Sequence, residues 1–263
     1  MLKLGVNTVL FKKYSLDEAA NIIKRAGYDG MEIAGIVGMC DHLVGDKTTV
    51  QAKLIRDIAE KYQLELLSTE AATHDVERLK KVFETCQAAG IPIVNIGTGG
   101  KSDDPEEFNK TIETLIQLSE LADSYGLILC CKAHVGNSIY NTATTIRVME
   151  AIKNNNFGID MDPSHIYRAN ENPEEALPPV ISRVKHIHIR DCKGRGPGPG
   201  TPADQACGRG DIDLFGYFKA MIAADYQGPV CLEVIGPELD MVEAAIIAAE
   251  SYGYMKAILR VYV

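Results

Sequence analysis

Apolar and polar positions along the chain follow two alternating rhythms. Short apolar runs cover residues 2–8, 30–34, 64–70, 92–97, 127–132, 157–162, 184–190 and 230–235, each short enough to be a strand. Between them lie longer stretches with apolar residues at helical spacing, among them SLDEAANIIKRAG, TTVQAKLIRDIAEKY, DVERLKKVFETCQAAG, DPEEFNKTIETLIQLSELADSYG and TATTIRVMEAIKNN. Several open on Ser, Thr or Asp and close at Gly or Asn, as helix ends do. Strict strand–helix alternation predicts parallel strands joined by right-handed crossovers. Eight such units predict an α/β fold of one closed (β/α)8 TIM barrel rather than an open doubly wound sheet. No linker or low-complexity tract divides the chain, so one domain over residues 1–263 is expected. One stretch breaks the rhythm: residues 193–203, KGRGPGPGTPA, alternate Gly and Pro and suit neither helix nor central strand. The stretch follows the seventh strand, so it is expected to overhang the C-terminal rim as a mobile loop, a lid or an anion-binding segment.

Successive strand residues point to opposite faces of a sheet, so parity separates the barrel interior from the helix-facing side. In VKHIHIRD, Ile187 and Ile189 are expected to face the helices and His186 and His188 the interior. The same reading turns Asp160 and Asp162 inward in FGIDMDP, Cys231 and Glu233 in VCLEV, and Cys130, Lys132 and His134 in LILCCKAH. Four adjacent strands thus each place a polar group near the C-terminal mouth: Lys132, Asp162, His188 and Glu233. Unpaired buried charges cost several kcal/mol each, so the four together predict an active site. Asp160, His186 and the two cysteines lie one layer deeper and are expected to support it.

Composition narrows the ligand. A net charge of −9 with no Lys/Arg block excludes a protein that tracks a nucleic-acid backbone, which leaves a small molecule as the expected partner. Seven scattered cysteines without a C-x-x-C pair suit reduced thiols, and with the absence of a secretion-signal pattern at the N-terminus they predict a cytoplasmic protein. No run reaches the ~18 apolar residues of a membrane span, so no membrane partner is expected.

The segments AGYDGMEI (26–33), GIDMDPSH (158–165), VKHIHIRD (184–191), CGRGDID (207–213) and YQGPVCLEV (226–234), in this order and spacing, resemble the xylose isomerase-like TIM-barrel superfamily. Its members include sugar and sugar-phosphate isomerases, epimerases and apurinic endonucleases. The resemblance implies a divalent cation (Mn, Mg, Zn or Co) held by a fifth-strand Glu, a sixth-strand Asp, a seventh-strand His and an eighth-strand Glu. Three of these ligands match Asp162, His188 and Glu233. His165 matches the histidine that follows the sixth-strand Asp, and His134 resembles the fifth-strand His. The resemblance also implies a carbohydrate ligand, no nucleotide cofactor, and a homo-oligomer, dimer or tetramer.

The sequence departs from the pattern at Lys132, which stands where the fifth-strand Glu belongs. An ammonium offers no lone pair. The usual two Glu and one Asp carry three negative charges, which a divalent ion reduces to one; Lys132, Asp162 and Glu233 already sum to one without it. Metal binding is therefore expected to be weakened. Arg209 likewise stands where a Glu is common.

The function expected first is an isomerase or epimerase of a sugar, sugar acid or sugar phosphate, moving a proton beside a carbonyl. Its catalytic residues would be Glu233, Lys132 and His165, with His134, Asp191, Lys193, Arg209 and Glu70 contacting substrate. The alternatives are a keto-polyol dehydratase or lyase, with Lys132 as amine nucleophile, and a non-catalytic sugar-binding barrel. An endonuclease is disfavoured by the acidic charge and by the lack of an Asp-x-His segment around residues 204–210.

Overall fold

The computed structural model of the chain describes residues 2–45 and 48–262. Eight parallel strands close on themselves: β1 (Lys3–Asn7), β2 (Gly30–Ile36), β3 (Glu65–Glu70), β4 (Ile93–Gly97), β5 (Ile128–Lys132), β6 (Phe157–Met161), β7 (Val184–Ile189) and β8 (Pro229–Leu232). Closure is made by β1, which pairs with both β2 and β8; Gly5 stands opposite Gly30 on one side and Cys231 on the other. The result is the (β/α)8 barrel that the alternation predicts. A two-residue strand, Cys40–Asp41, folds back antiparallel on the end of β2.

Around the barrel run α1 (Leu16–Ala26), α2 (Thr48–Tyr62), α3 (Val76–Ala89), α4 (Pro105–Ser124), α5 (Thr142–Ala151), α6 (Pro163–Arg168), α7 (Pro173–Ala176), α8 (Leu214–Ala223) and α9 (Met241–Tyr262). The starts lie where the polar caps put them: Ser15 and Glu18 form a reciprocal capping box, and Asp75 and Asp104 cap α3 and α4. α5 stops short of its pattern, which ran to residue 155, because Ile152 turns extended and buries its side chain.

Parity sorts the strand residues as expected. Leu129, Ile159, Met161, Ile187, Ile189, Val230 and Leu232 are fully buried in the core shared by strands and helices, each worth about 1.5–3 kcal/mol of burial. Because β7 ends at Ile189 and β8 at Leu232, Arg190 and Glu233 are the first residues past their strands and stand at the C-terminal mouth. No described helix is long and apolar enough to cross a membrane.

Candidate active site

Lys132, the last residue of β5, lies among three strand ends. Its Nζ donates to Glu233 Oε1 (2.8 Å) and to Glu70 Oε1 (3.0 Å), and lies 3.2 Å from His188 Nδ1. Glu70 closes β3, and its second oxygen accepts from Asn7 Nδ2 at 2.7 Å. Lys132, Glu70 and Glu233 are all buried, and such charges persist only when fully paired. Burial would lower the Lys132 pKa, but Glu233 and Glu70 outweigh it and hold the ammonium above its ordinary range. Burial would likewise raise Glu233, yet Lys132, His188 and Arg190 keep it well below the usual carboxylate range. Glu70 behaves differently: burial, reinforced by Glu233 and opposed by Lys132, pushes it up to about 7. One carboxylate is therefore fixed as an anion, while the other titrates near neutrality.

Beneath this trio a second polar layer orients His188. Its Nε2 donates to Glu32 Oε2 (2.6 Å), and Nδ1 lies 2.7 Å from Asp160 Oδ2 as well as near Lys132. Burial disfavours the imidazolium, but Asp160 and Glu32 outweigh it and raise the pKa well above the ordinary value. Asp160 Oδ1 bonds His186 Nδ1 (2.9 Å) and accepts from the His188 backbone N–H (3.1 Å), while His186 Nε2 meets Ser68 Oγ (2.9 Å). Asn95 donates to Glu32 Oε1 at 2.6 Å. This layer fixes the ring that the upper layer touches.

On the other flank Arg190 organises the end of β6. Its Nη2 donates to Asp162 Oδ2 (2.6 Å) and lies 3.1 Å from His165 Nε2, and its Nε donates to Ser164 Oγ (2.7 Å). Asp162 is the N-cap of α6: its Oδ1 accepts from the Ser164 N–H (2.8 Å) and hydroxyl (2.7 Å). His165 lies between two guanidinium groups, with Arg168 Nη2 at 2.7 Å from Nδ1, and stacks on His134 with ring centres 4.0 Å apart. Burial, aided by Arg190 and His134, lowers its pKa well below the ordinary range, so His165 is neutral.

These groups border a cavity of about 460 Å³ at the barrel mouth, lined by Glu70, Lys132, His134, His165, Arg190 and Glu233 on its polar side. Ile36, Met39 and Ile235 supply apolar lining. Three residues expected at the ligand are engaged elsewhere. Asp191 is buried and accepts the backbone N–H groups of Cys192 (2.9 Å), Gly208 (3.0 Å) and Ile212 (3.1 Å). That knot explains the glycines of CGRGDID: a Cβ at residue 210 would lie 2.1 Å from Asp191 Oδ1, and Gly208 has φ +92°. Lys193 pairs with Asp211 (2.8 Å) and Arg209 with Glu250 (2.8 Å), both outside the cavity lining. The 193–203 stretch contributes nothing to that lining; it packs on α6, where Pro197 O accepts from Arg168.

Glu70, His188 and Glu233 each offer a ligand atom within 4.8 Å of the others, the donor types of a metal centre. Asp160, His186 and His188 form a similar group, as do Glu32, His186 and Cys231, but Asp162 belongs to none of the three. Asp162 is bonded to the start of α6 and to Arg190, while Glu70 is the carboxylate that lies beside His188 and Glu233. With Lys132 Nζ among those three donors, however, the arrangement does not fit a divalent cation. The two carboxylates already share one cation, and the His188 Nδ1 lone pair is taken by a proton or by Lys132.

Two residues at the heart of the site escaped the sequence reading. Arg190 lies two positions after His188, so the parity that turned His186 and His188 inward extends to it. Glu32, in GMEI between the outward Met31 and Ile33, carries the same signal.

A family model described as a xylose isomerase-like TIM barrel matches residues 20–258. The chain belongs to the xylose isomerase-like TIM-barrel family. Among curated proteins it is similar to an inosose dehydratase of Clostridium botulinum (strain Alaska E43 / Type E3), 23% identical over 259 aligned positions that cover 85% of this chain and 83% of that one. An inosose dehydratase of Mesomycoplasma hyopneumoniae (strain 7448) is 24% identical over 222 positions, covering 73% and 70%. Among solved structures, a D-tagatose 3-epimerase-like protein superposes with a TM-score of 0.79 at 18% identity, covering 99% of this chain and 98% of its own. A probable 3-DHS dehydratase of Bacillus anthracis gives 0.77 at 13% identity, covering 98% and 99%. Both structures share the fold.

Proposed function

We propose that the protein enolises a small polyhydroxylated ketone without a metal, using Glu233 as base, Glu70 as acid and Lys132 as the fixed cation. The observation that carries this reading is the Glu70–Lys132–Glu233 arrangement, with one carboxylate held ionised and its counterpart poised near pH 7. Proton transfer is most effective when the acid's pKa lies near the working pH. Glu233 takes the proton from the carbon beside the carbonyl, the C–H pair becomes the enolate C=C, and the carbonyl π pair moves to oxygen. The Lys132 ammonium, fixed beside Glu233 in the cavity lining, stabilises that oxyanion through its positive charge.

The enolate has two outcomes. If Glu70 in its neutral form protonates a hydroxyl on the neighbouring carbon, water leaves and an unsaturated ketone forms. This dehydration is the outcome we favour, and similarity to proteins named inosose dehydratase supports it. If Glu70 returns a proton to carbon instead, the product is an epimer; the two carboxylates of unequal ionisation beside Lys132 support this second reading. A Schiff base through Lys132 is disfavoured because its amine stays protonated between two carboxylates.

The test is incubation in D2O with EDTA, inosose and a set of ketoses and sugar acids, followed by NMR and ultraviolet absorbance. Expected is solvent exchange beside the carbonyl of at least one member, reduced about 10²-fold or more in Glu233→Gln. Enone absorbance identifies dehydration, and a new diastereomer identifies epimerisation. Exchange undiminished in the variant, or ligand binding without exchange in any member, would overturn the proposal; the latter is the behaviour of a sugar-binding barrel.

A further inference from the structure

Arg190 Nη1 and Glu233 Oε2 lie 3.2 Å apart at the cavity, and neither atom has a hydrogen-bond partner although both are buried. The remainder of Arg190 is committed: Nε to Ser164, Nη2 to Asp162. Glu233 Oε1 is likewise committed to Lys132. Rigid anchoring thus leaves one donor and one acceptor side by side, paired by charge but with no hydrogen bond made by either atom.

We propose that Arg190 and Glu233 together read a substrate hydroxyl, and that the site selects uncharged polyhydroxylated ketones over phosphorylated or carboxylated ones. A sugar hydroxyl both accepts and donates. It accepts from Nη1 and donates to Oε2, satisfying both orphan atoms at once. A phosphate or carboxylate oxygen accepts only, and at this position it sets a negative charge against Oε2. The described lining offers no alternative mooring for an anion among its fixed cations, because Lys132 and Arg190 are each already bonded to carboxylates. Arg190 is thereby a specificity-determining residue.

This inference rests on the enolisation reading only in seating the substrate beside Glu233, and its test measures binding, so it stands or falls separately from turnover. Calorimetric titrations of the wild-type protein with D-fructose, D-tagatose and inosose are compared with D-fructose 6-phosphate, D-fructose 1-phosphate and 5-keto-D-gluconate. An uncharged member is expected to bind at least about 10-fold more tightly than every charged one, since a further anion in this lining lies beside Glu233 and Glu70 with the cations already shared. Monodeoxy analogues of the tightest ligand then locate the hydroxyl: one position is expected to lose about 10-fold or more, and that loss to shrink below about threefold in Arg190→Lys, which keeps the charge but lacks Nη1. Because Arg190 also holds Asp162 and Ser164, the wild-type comparison needs no variant. Equal or tighter binding of a charged member, absence of binding by all three uncharged ketones, or a deoxy loss unchanged in Arg190→Lys overturns the proposal.

Discussion

Lys132 on β5 donates to Glu70 on β3 across 3.0 Å, so an ammonium at the end of one strand is bonded to a carboxylate two strands away. The resemblance assigned the Lys132 position to a metal-ligating Glu, and Glu70 was expected to contact substrate. In the structure Glu70 supplies a carboxylate beside Glu233, and Lys132 is the cation that both surround.

That arrangement predicts how the site responds to divalent ions. Lys132→Glu removes the ammonium and adds a carboxylate, a change of two charge units at a buried position. Attraction for a divalent ion should therefore rise by more than one added ligand alone would give. Calorimetric titration with Mn²⁺ is expected to show binding at least about 10-fold tighter in the variant than in the wild type, a conservative bound given buried Coulomb energies of several kcal/mol. Wild-type binding as tight as the variant's would mean that Lys132 swings away readily, and the metal-free mechanism would fail.

Glu70 predicts a pH dependence of stability. Its pKa rises from 4.5 to about 7 on folding, principally through burial. A group raised in this way favours the folded state while protonated, so its contribution is complete below about pH 4.5 and is lost as pH rises through about 7. The loss approaches about 3 kcal/mol well above pH 7, from 1.36 kcal/mol per unit. Glu70→Gln does not titrate and keeps one acceptor oxygen in place of two, so its pH dependence, rather than its absolute stability, is the comparison. Denaturant melts between pH 5 and pH 8.5 should show the wild type losing stability relative to the variant as pH rises. Parallel curves would show that Glu70 ionises in the fold as freely as in water.

How much of this was legible in sequence follows from which forces act locally. The barrel is visible because strand alternation and helix caps are short-range patterns, as Ser15–Glu18 and the Ile187/Ile189 face illustrate. Inward placement of Lys132, His188 and Glu233 follows from the same period of two. Partner choice does not. Asp162 faces the mouth, yet its chain neighbour Ser164 and the distant Arg190 claim its oxygens, and no spacing rule decides that competition. Asp191 carries a charge at the rim and is consumed by backbone N–H groups that only the folded 208–212 turn presents. Arg190 was readable by extending parity one step beyond the predicted imidazole pair.

The 193–203 stretch gives the last prediction. Gly/Pro alternation supplies no repeating backbone hydrogen bonds, so sequence favours a mobile segment. Side chains supply the missing ties. Arg195 lies 3.8 Å above the Tyr167 ring, with Nη1 donating to Tyr167 O (2.7 Å) and Glu171 O (2.8 Å) and Nη2 to Asn172 Oδ1 (2.9 Å). Arg168 Nη1 donates to Pro197 O at 2.7 Å while its Nη2 meets His165 in the site, so the loop and the cavity wall share one guanidinium. The exposed Lys193–Asp211 pair adds little by comparison. Arg195→Ala removes three hydrogen bonds and a ring contact, yet no core packing. It should therefore speed amide exchange across residues 194–200 by about 10-fold or more, the equivalent of ~1.4 kcal/mol or more of local stability, while exchange in β5–β8 stays as in the wild type. Arg168→Met should do the same and also alter the His165 imidazole resonances, because its guanidinium contacts both. Unchanged exchange in the loop of Arg195→Ala would mean that these bonds do not hold it; equal acceleration in the strands would mean that the loop is part of the barrel's cooperative core rather than a tethered cover on α6.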